Sequence, residues 1–233
     1  MRNKWGYSLW VATERYIVLD TETTGLDVND NHRIIEIGCV EIINRSITEN
    51  TFHQYLNPGR LIDASATSIH GITNDKLSNQ PIFADIKDKL IRFINNGQVI
   101  AHNASFDIGF LEKEFNDCGI DIYKINLFSK IHDTLAMARG LYPGKRNSLD
   151  ALCSRLNVDN SSRELHGALL DAELLAQVYL RMTMGQTTMS NLLDDRESSK
   201  PVNNNSSEIL NHQKKIIKAT KEEIESHQDY FSQ

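Results

Sequence analysis

The chain has 233 residues, 40% hydrophobic and 24% charged, with a net charge of −6; this suits one sizeable domain with an appendage and argues against two domains of ordinary size. No apolar run approaches the roughly 20 residues of a membrane helix, and the patch Trp5 to Ala12 lacks a signal-peptide core, so a soluble, cytoplasmic protein with no membrane partner is expected. Cys39, Cys118 and Cys153 are odd in number, far apart and set among apolar residues, which supports neither a disulfide framework nor a zinc site and predicts buried, reduced thiols.

Residues 1–15 form an N-terminal extension of charge +2. Tyr16 to Leu19, Arg33 to Ile43 and Thr51 to Leu56 are β-prone runs separated by turn formers, and predict three strands in an antiparallel meander. Pro81 to Ile94 then takes helical spacing, with Ile86, Leu90, Phe93 and Ile94 on one face and Asn95-Asn96-Gly97 as its stop. Gln98 to Ala101 reads as a fourth strand. Phe106 to Cys118 repeats Ile108, Leu111 and Phe115 at helical intervals before Gly119. Asp133 and Ser148 are the expected N-caps of helices over 134–141 and 149–156, and a last core helix runs from about His166 to Met184. Strands first, then strands alternating with helices, predict an α/β domain over residues 16–184, a mixed sheet flanked by helices. Residues 194–208 are polar and aperiodic, a flexible linker in a tail that spans 185–233, and Ile209 to Ile224 forms at most a weak helix that orders on a partner.

In a strand, Asp20 and Glu22 project to the same side. Two carboxylates on one face repel each other unless a cation lies between them, and hard divalent ions such as Mg²⁺ or Mn²⁺ take oxygen ligands. The pair alone is more often the mark of a solvated strand. Here, however, it ends an apolar strand and runs into Thr23-Thr24-Gly25, whose hydroxyls and backbone N–H groups suit a phosphate or nucleotide. Asp107 opens a helix that follows a strand, where it can simply interact with the helix dipole. Asp171 lies in the apolar run Gly167 to Ala176, where an uncompensated inward carboxylate is costly. His166 stands five residues earlier, about 140° away on an ideal helix. It shares the face of Asp171 only from a loop leading into that helix, and there its near-neutral pKa suits proton transfer.

The run Asp20-Thr-Glu-Thr-Thr-Gly25, the segment Ala101 to Asp107 and the spacing from His166 to Asp171 resemble, jointly and in order, the three motifs of the DEDDh 3′-to-5′ exonuclease superfamily. Over residues 16–182 the chain is most similar to the proofreading epsilon subunits of bacterial DNA polymerase III. The tyrosine-type relatives carry Tyr four residues before the last Asp, where this chain has Gly167. The resemblance implies a ribonuclease H-like fold and two divalent cations, Mg²⁺ or Mn²⁺. Asp20 would bridge both, Glu22 and Asp171 would complete the first site, and Asp107 would support the second. It makes His166 the general base and places Thr23, Thr24, Ser65, Ile69 and His70, with Asp20, Glu22 and Asp171, around the terminal nucleotide. Asn103 orients the loop before Asp107.

The resemblance also implies partners: a single-stranded 3′ end of DNA, the polymerase catalytic (alpha) subunit and the sliding clamp. Gln186, Met189 and Leu192 are the clamp-binding candidates, although Ser190-Asn191 departs from the family's small residue and aromatic. A theta subunit is not specified by these residues. The acidity of the chain fits an enzyme whose substrate is delivered by a partner rather than gripped by charge. Two other readings stay open at this stage: an exoribonuclease trimming RNA 3′ ends, since the five residues do not separate DNA from RNA, and an inert tether between clamp and polymerase.

Overall fold

The computed structural model describes residues 14–128 and 130–184. The clamp-binding candidates, the linker and the segment Ile209 to Ile224 lie outside the described residues. Five strands, β1 (Arg15–Thr23), β2 (Ile34–Ile43), β3 (Ser46–Tyr55), β4 (Gln98–Ala101) and β5 (Ile131–Asp133), form one sheet in the order β3-β2-β1-β4-β5. The first three make the expected antiparallel meander, while β4 adds to β1 and β5 to β4 in parallel, so the sheet is mixed. β1 begins at Arg15, one residue inside the expected extension.

Among the described residues seven α-helices accompany it: α1 (Ala64–His70), α2 (Asn74–Leu77), α3 (Phe83–Ile94), α4 (Ala104–Asp117), α5 (Thr134–Leu141), α6 (Leu149–Leu156) and α7 (Ala168–Met182). Alternation along β1 sends Ile17 and Leu19 into a core with α3 and α4, through Leu90, Phe110, Leu111 and Phe115. Val18 turns the other way, and with Val40 and Ile42 meets α5, α6 and α7. Each face is therefore covered by helices, and all of these strand residues are at most 1% exposed.

The expected caps are present. Asp133 accepts from Leu135 and Ala136 N–H at 2.9 and 3.3 Å, and Ser148 from Ala151 N–H at 3.4 Å. Gly119, at φ +74°, follows the end of α4. The three-residue strand β5 and the short helices α1 and α2 were not expected, because none has an apolar period long enough to read. The last helix starts at Ala168 rather than His166, which leaves the histidine in the preceding loop.

Candidate active site

Asp20 and Glu22 share the parity of Val18 and so face α7, opposite Gly38 and Glu36 of β2. The register slips between Glu22 and Thr23, a bulge that ends the pairing beside the site. Thr21 points to the other face, where its hydroxyl donates to Asp107 Oδ1 at 2.8 Å. Asp107 lies in the first turn of α4, which starts from Asn103 in the left-handed conformation, φ +66°. Three successive residues of one strand thus gather carboxylates from both faces of the sheet.

The fourth carboxylate is brought by α7. A Cβ at Gly38 would lie 2.2 Å from the backbone carbon of Ala168, so only glycine lets the helix start this close to the sheet. Glu36, 2% exposed, accepts from Ala168 N–H at 3.2 Å and serves as the cap that Gly167 cannot provide. Its other oxygen lies 2.6 Å from His53 Nε2. At the far end Arg45 donates to Leu180 O at 2.7 Å and to Thr183 Oγ1 at 3.0 Å. Held at both ends, α7 places Asp171 one turn in, beside Glu22. His166, whose backbone N–H donates to Ile69 O at 3.2 Å, has Nδ1 3.4 Å from Asp171 Oδ2.

The crowding raises most of these carboxyls. Burial, reinforced by Asp107, Asp171 and Glu22, pushes Asp20 well above the usual range. Burial and then Asp171, Glu36 and Asp107 lift Glu22 to about 8. Burial lifts Asp107 to about 7 against the opposing hydrogen bond from Thr21. For Asp171 burial acts upward too, but contact with His166, when its ring carries a proton on Nδ1, and with Arg163 holds it below the ordinary value. Ligand atoms of Glu22, His166 and Asp171 lie within 4.8 Å of one another, a spacing that fits a divalent cation. The oxygen-rich donor set and the raised carboxyls fit one as well, since a cation relieves their repulsion.

Of the residues expected around a terminal nucleotide, Ile69 is 45% exposed, Ser65 is exposed, and His70 is buried behind them. His70 Nδ1 accepts from Ile72 N–H at 3.0 Å, so Nε2 carries the hydrogen. Nε2 lies by the backbone of Thr23, yet among the described residues it is the one buried side-chain polar atom without a hydrogen bond of good geometry. Thr23 and Thr24 differ from expectation. Their hydroxyls are not exposed: Thr23 donates to Gly25 O at 2.6 Å, and Thr24 accepts from Arg33 N–H at 3.0 Å and contacts His32 Nδ1 at 2.9 Å. They shape the loop rather than reach out of it.

Asp20, His166 and Asp171 line a cleft of about 620 Å³ together with Arg139 and Lys145. Arg163 also lines it. Its fork donates to both Asp171 oxygens, at 2.5 and 2.7 Å, while its third nitrogen reaches Asp150 Oδ1 at 2.6 Å. Arg163, Glu36, Gly38 and Thr21 escaped sequence reasoning. Arg163 sits in a polar run read as loop, and nothing short of its folded partners distinguishes it from a solvated arginine.

The exonuclease family model matches residues 17–179. DNA polymerase III subunit epsilon of Salmonella typhimurium is 55% identical over 183 residues, covering 77% of this chain and 75% of that protein. The epsilon subunit of Escherichia coli is 47% identical over 223 residues, covering 93% and 92%. Among solved structures, exonuclease X in complex with 5′ overhanging duplex DNA superposes with a TM-score of 0.55 at 26% identity, over 74% of this chain and 93% of that one.

Proposed function

Since the chain belongs to the exonuclease family, and within it to the DNA polymerase III epsilon subunits, we propose that it is a proofreading 3′-to-5′ exonuclease that removes the primer-terminal nucleotide as a 5′-mononucleotide. The observation that carries this reading is that Asp20 of β1, Asp171 of α7 and His166 line one cleft, with Glu22 grouped with His166 and Asp171 and Asp107 of α4 close enough to act on Asp20. The ribonuclease H-like arrangement of sheet and helices agrees with the structural neighbours.

The family's enzymes depend on divalent metal, and in this chain Asp20, Glu22 and Asp171 would hold one ion and Asp20 and Asp107 a second. Such ions, Mg²⁺ or Mn²⁺, supply charge stabilisation to the attacking and leaving oxygens of a phosphodiester. His166, with its side chain 46% exposed in the cleft, takes a proton from the attacking water at the ring nitrogen that carries no hydrogen. The Thr23-Thr24-Gly25 loop, Ser65 and Ile69 surround the terminal nucleotide. His70, buried with its ring beside the Thr23 backbone, backs the pocket of that nucleotide.

The acidic chain works within a polymerase III complex, where other subunits hold the DNA and fraying supplies a single-stranded 3′ end. Its direct partners are the polymerase alpha subunit and the sliding clamp, contacted from the segment after residue 185 through Gln186, Met189 and Leu192, in the cytoplasm. Among the described residues no helix is long and apolar enough to cross a membrane.

The test is release of mononucleotide from a mismatched 3′ primer in Mg²⁺ or Mn²⁺, alongside a single-stranded RNA of the same sequence. DNA is the expected substrate. Equal loss from wild type and Asp20→Ala, or preferential cutting of RNA, would overturn the reading. Co-purification with the polymerase subunit before and after truncation at residue 185 tests the tail: unchanged binding would remove it from the interface.

A further inference from the structure

Arg163 is the cation already joined to the site. Its side chain is 6% exposed and that of Asp171 3%, so the pair is largely buried at the edge of the cleft, and the fork engages both carboxylate oxygens, at 2.5 and 2.7 Å. A bidentate, charge-assisted pair of this kind is among the stronger polar contacts a protein makes. The same guanidinium approaches a third group, His166 Nδ1, at 3.0 Å from Nη2. Arginine has only donors, so in the tautomer with the hydrogen on Nε2 this contact, shorter than the 3.4 Å from Nδ1 to Asp171 Oδ2, takes the lone pair of Nδ1. Arg163 therefore covers the carboxylate of α7 and the lone pair of the adjoining histidine together.

On the proposed reading of the site, a divalent cation bound through Asp171 needs at least one of the oxygens that Arg163 holds, and His166 needs a free lone pair to accept a proton. Both demands fall on one side chain. Arg163 also has an alternative anchor: Asp150, in the first turn of α6, takes its Nη1 at 2.6 Å and is half exposed on the cleft wall. The guanidinium can withdraw towards that carboxylate without losing every partner.

We propose that Arg163 is an internal counter-ion that competes with the divalent metal for Asp171 and, until displaced, also occupies the lone pair of His166. Loading of the metal and release of the histidine are then a single event. Asp171 is kept ionised and aimed into the cleft whether or not metal is bound, and the general base is withheld from water until the cation arrives. The competition is a positioning role, since Arg163 acts through Asp171 and His166 rather than on substrate.

The inference rests on the assignment of Asp171 as a metal ligand, and its test separates the two. Mn²⁺ affinity of the full chain, without nucleotide, is measured by electron paramagnetic resonance for wild type, Arg163→Gln and Arg163→Lys, with folding checked by circular dichroism. Removing a competing cation tightens Mn²⁺ binding by about tenfold in Arg163→Gln, and Arg163→Lys, a point charge without the fork, falls between. A purely structural arginine gives the opposite sign, because its loss disorders Asp171 and weakens the metal. Unchanged or weaker Mn²⁺ binding in a folded Arg163→Gln overturns the proposal. If that variant does not fold, Arg163→Lys decides: binding no tighter than wild type overturns it. Wild-type protein that takes up no Mn²⁺, or an Asp171→Asn variant that binds it undiminished, overturns the underlying site assignment as well.

Discussion

Gly38→Ala tests whether the contact between α7 and the sheet sets the catalytic geometry. The added Cβ would stand 2.2 Å from Ala168 C and 2.3 Å from Ala168 O and Leu169 N, all backbone atoms that no rotamer change can move aside. To regain ordinary contact the start of α7 must retreat by about 1 Å, carrying Asp171 and the His166 loop with it, and a displacement of that size costs on the order of 10²-fold in rate. Overpacking of this kind also costs about 1–3 kcal/mol, a drop in melting temperature of several degrees for a domain this large. The assay is single-turnover release of the terminal nucleotide, paired with thermal unfolding, and compared with Gly109→Ala in α4. At Gly109 a Cβ meets nothing within 4 Å, so that variant should keep full activity and gain up to about 1 kcal/mol from reduced chain entropy. A folded Gly38→Ala with wild-type rate, or equal losses from both variants, would refute the claim that this contact places Asp171.

Three further expectations concern the carboxylates and their supports. Glu22 and Asp107 titrate at about 8 and about 7 against ordinary values of 4.5 and 3.8; because the folded state binds more protons across that window, stability without metal is full at acid pH and is lost as pH rises through the folded values, by the order of a few kcal/mol. Melting temperature in chelator should therefore fall towards pH 8, Glu22→Gln should flatten the fall, and added Mg²⁺ should rescue most where the loss is greatest; a melting temperature that rises over this range would contradict the crowding. His166→Ala should lose about 10²- to 10⁴-fold in rate yet still bind Mn²⁺, whereas Asp171→Ala should lose both, and equal loss of metal affinity from the two would remove the general-base role. Glu36→Ala leaves Ala168 N–H without an acceptor and should cost about 1–3 kcal/mol in urea unfolding, with Glu36→Gln milder; indifference to both would show that β2 does not cap α7.

What was legible in the chain followed short-range rules. Period-2 and period-3.6 apolar patterns marked four strands and the longer helices within a few residues, and Asp133 and Ser148 showed where two of those helices begin. Strand β5, three residues long, exists only because β4 lies beside it, and α1 is seven residues without an apolar stripe. The hydroxyls of Thr23 and Thr24 looked free in a list of residues but are taken by Gly25, Arg33 and His32 once the loop closes.

The same division runs through the site. Asp20, Glu22, Asp107, His166 and Asp171 could be chosen from order and spacing, because strand alternation and motif order are properties of a linear chain. His166 looked misplaced on an ideal helix, and only the real start of α7 at Ala168 put it in a loop within 3.4 Å of Asp171. The groups that hold the five in place are distant in sequence: Glu36 caps a helix 132 residues away, and Thr21 holds Asp107 across 86. Such pairings come from packing two helical layers on one twisted sheet, and no local pattern encodes them. The chain alone therefore marked the candidate residues, while the tertiary structure decided their spacing and charge state and set Arg163 against Asp171.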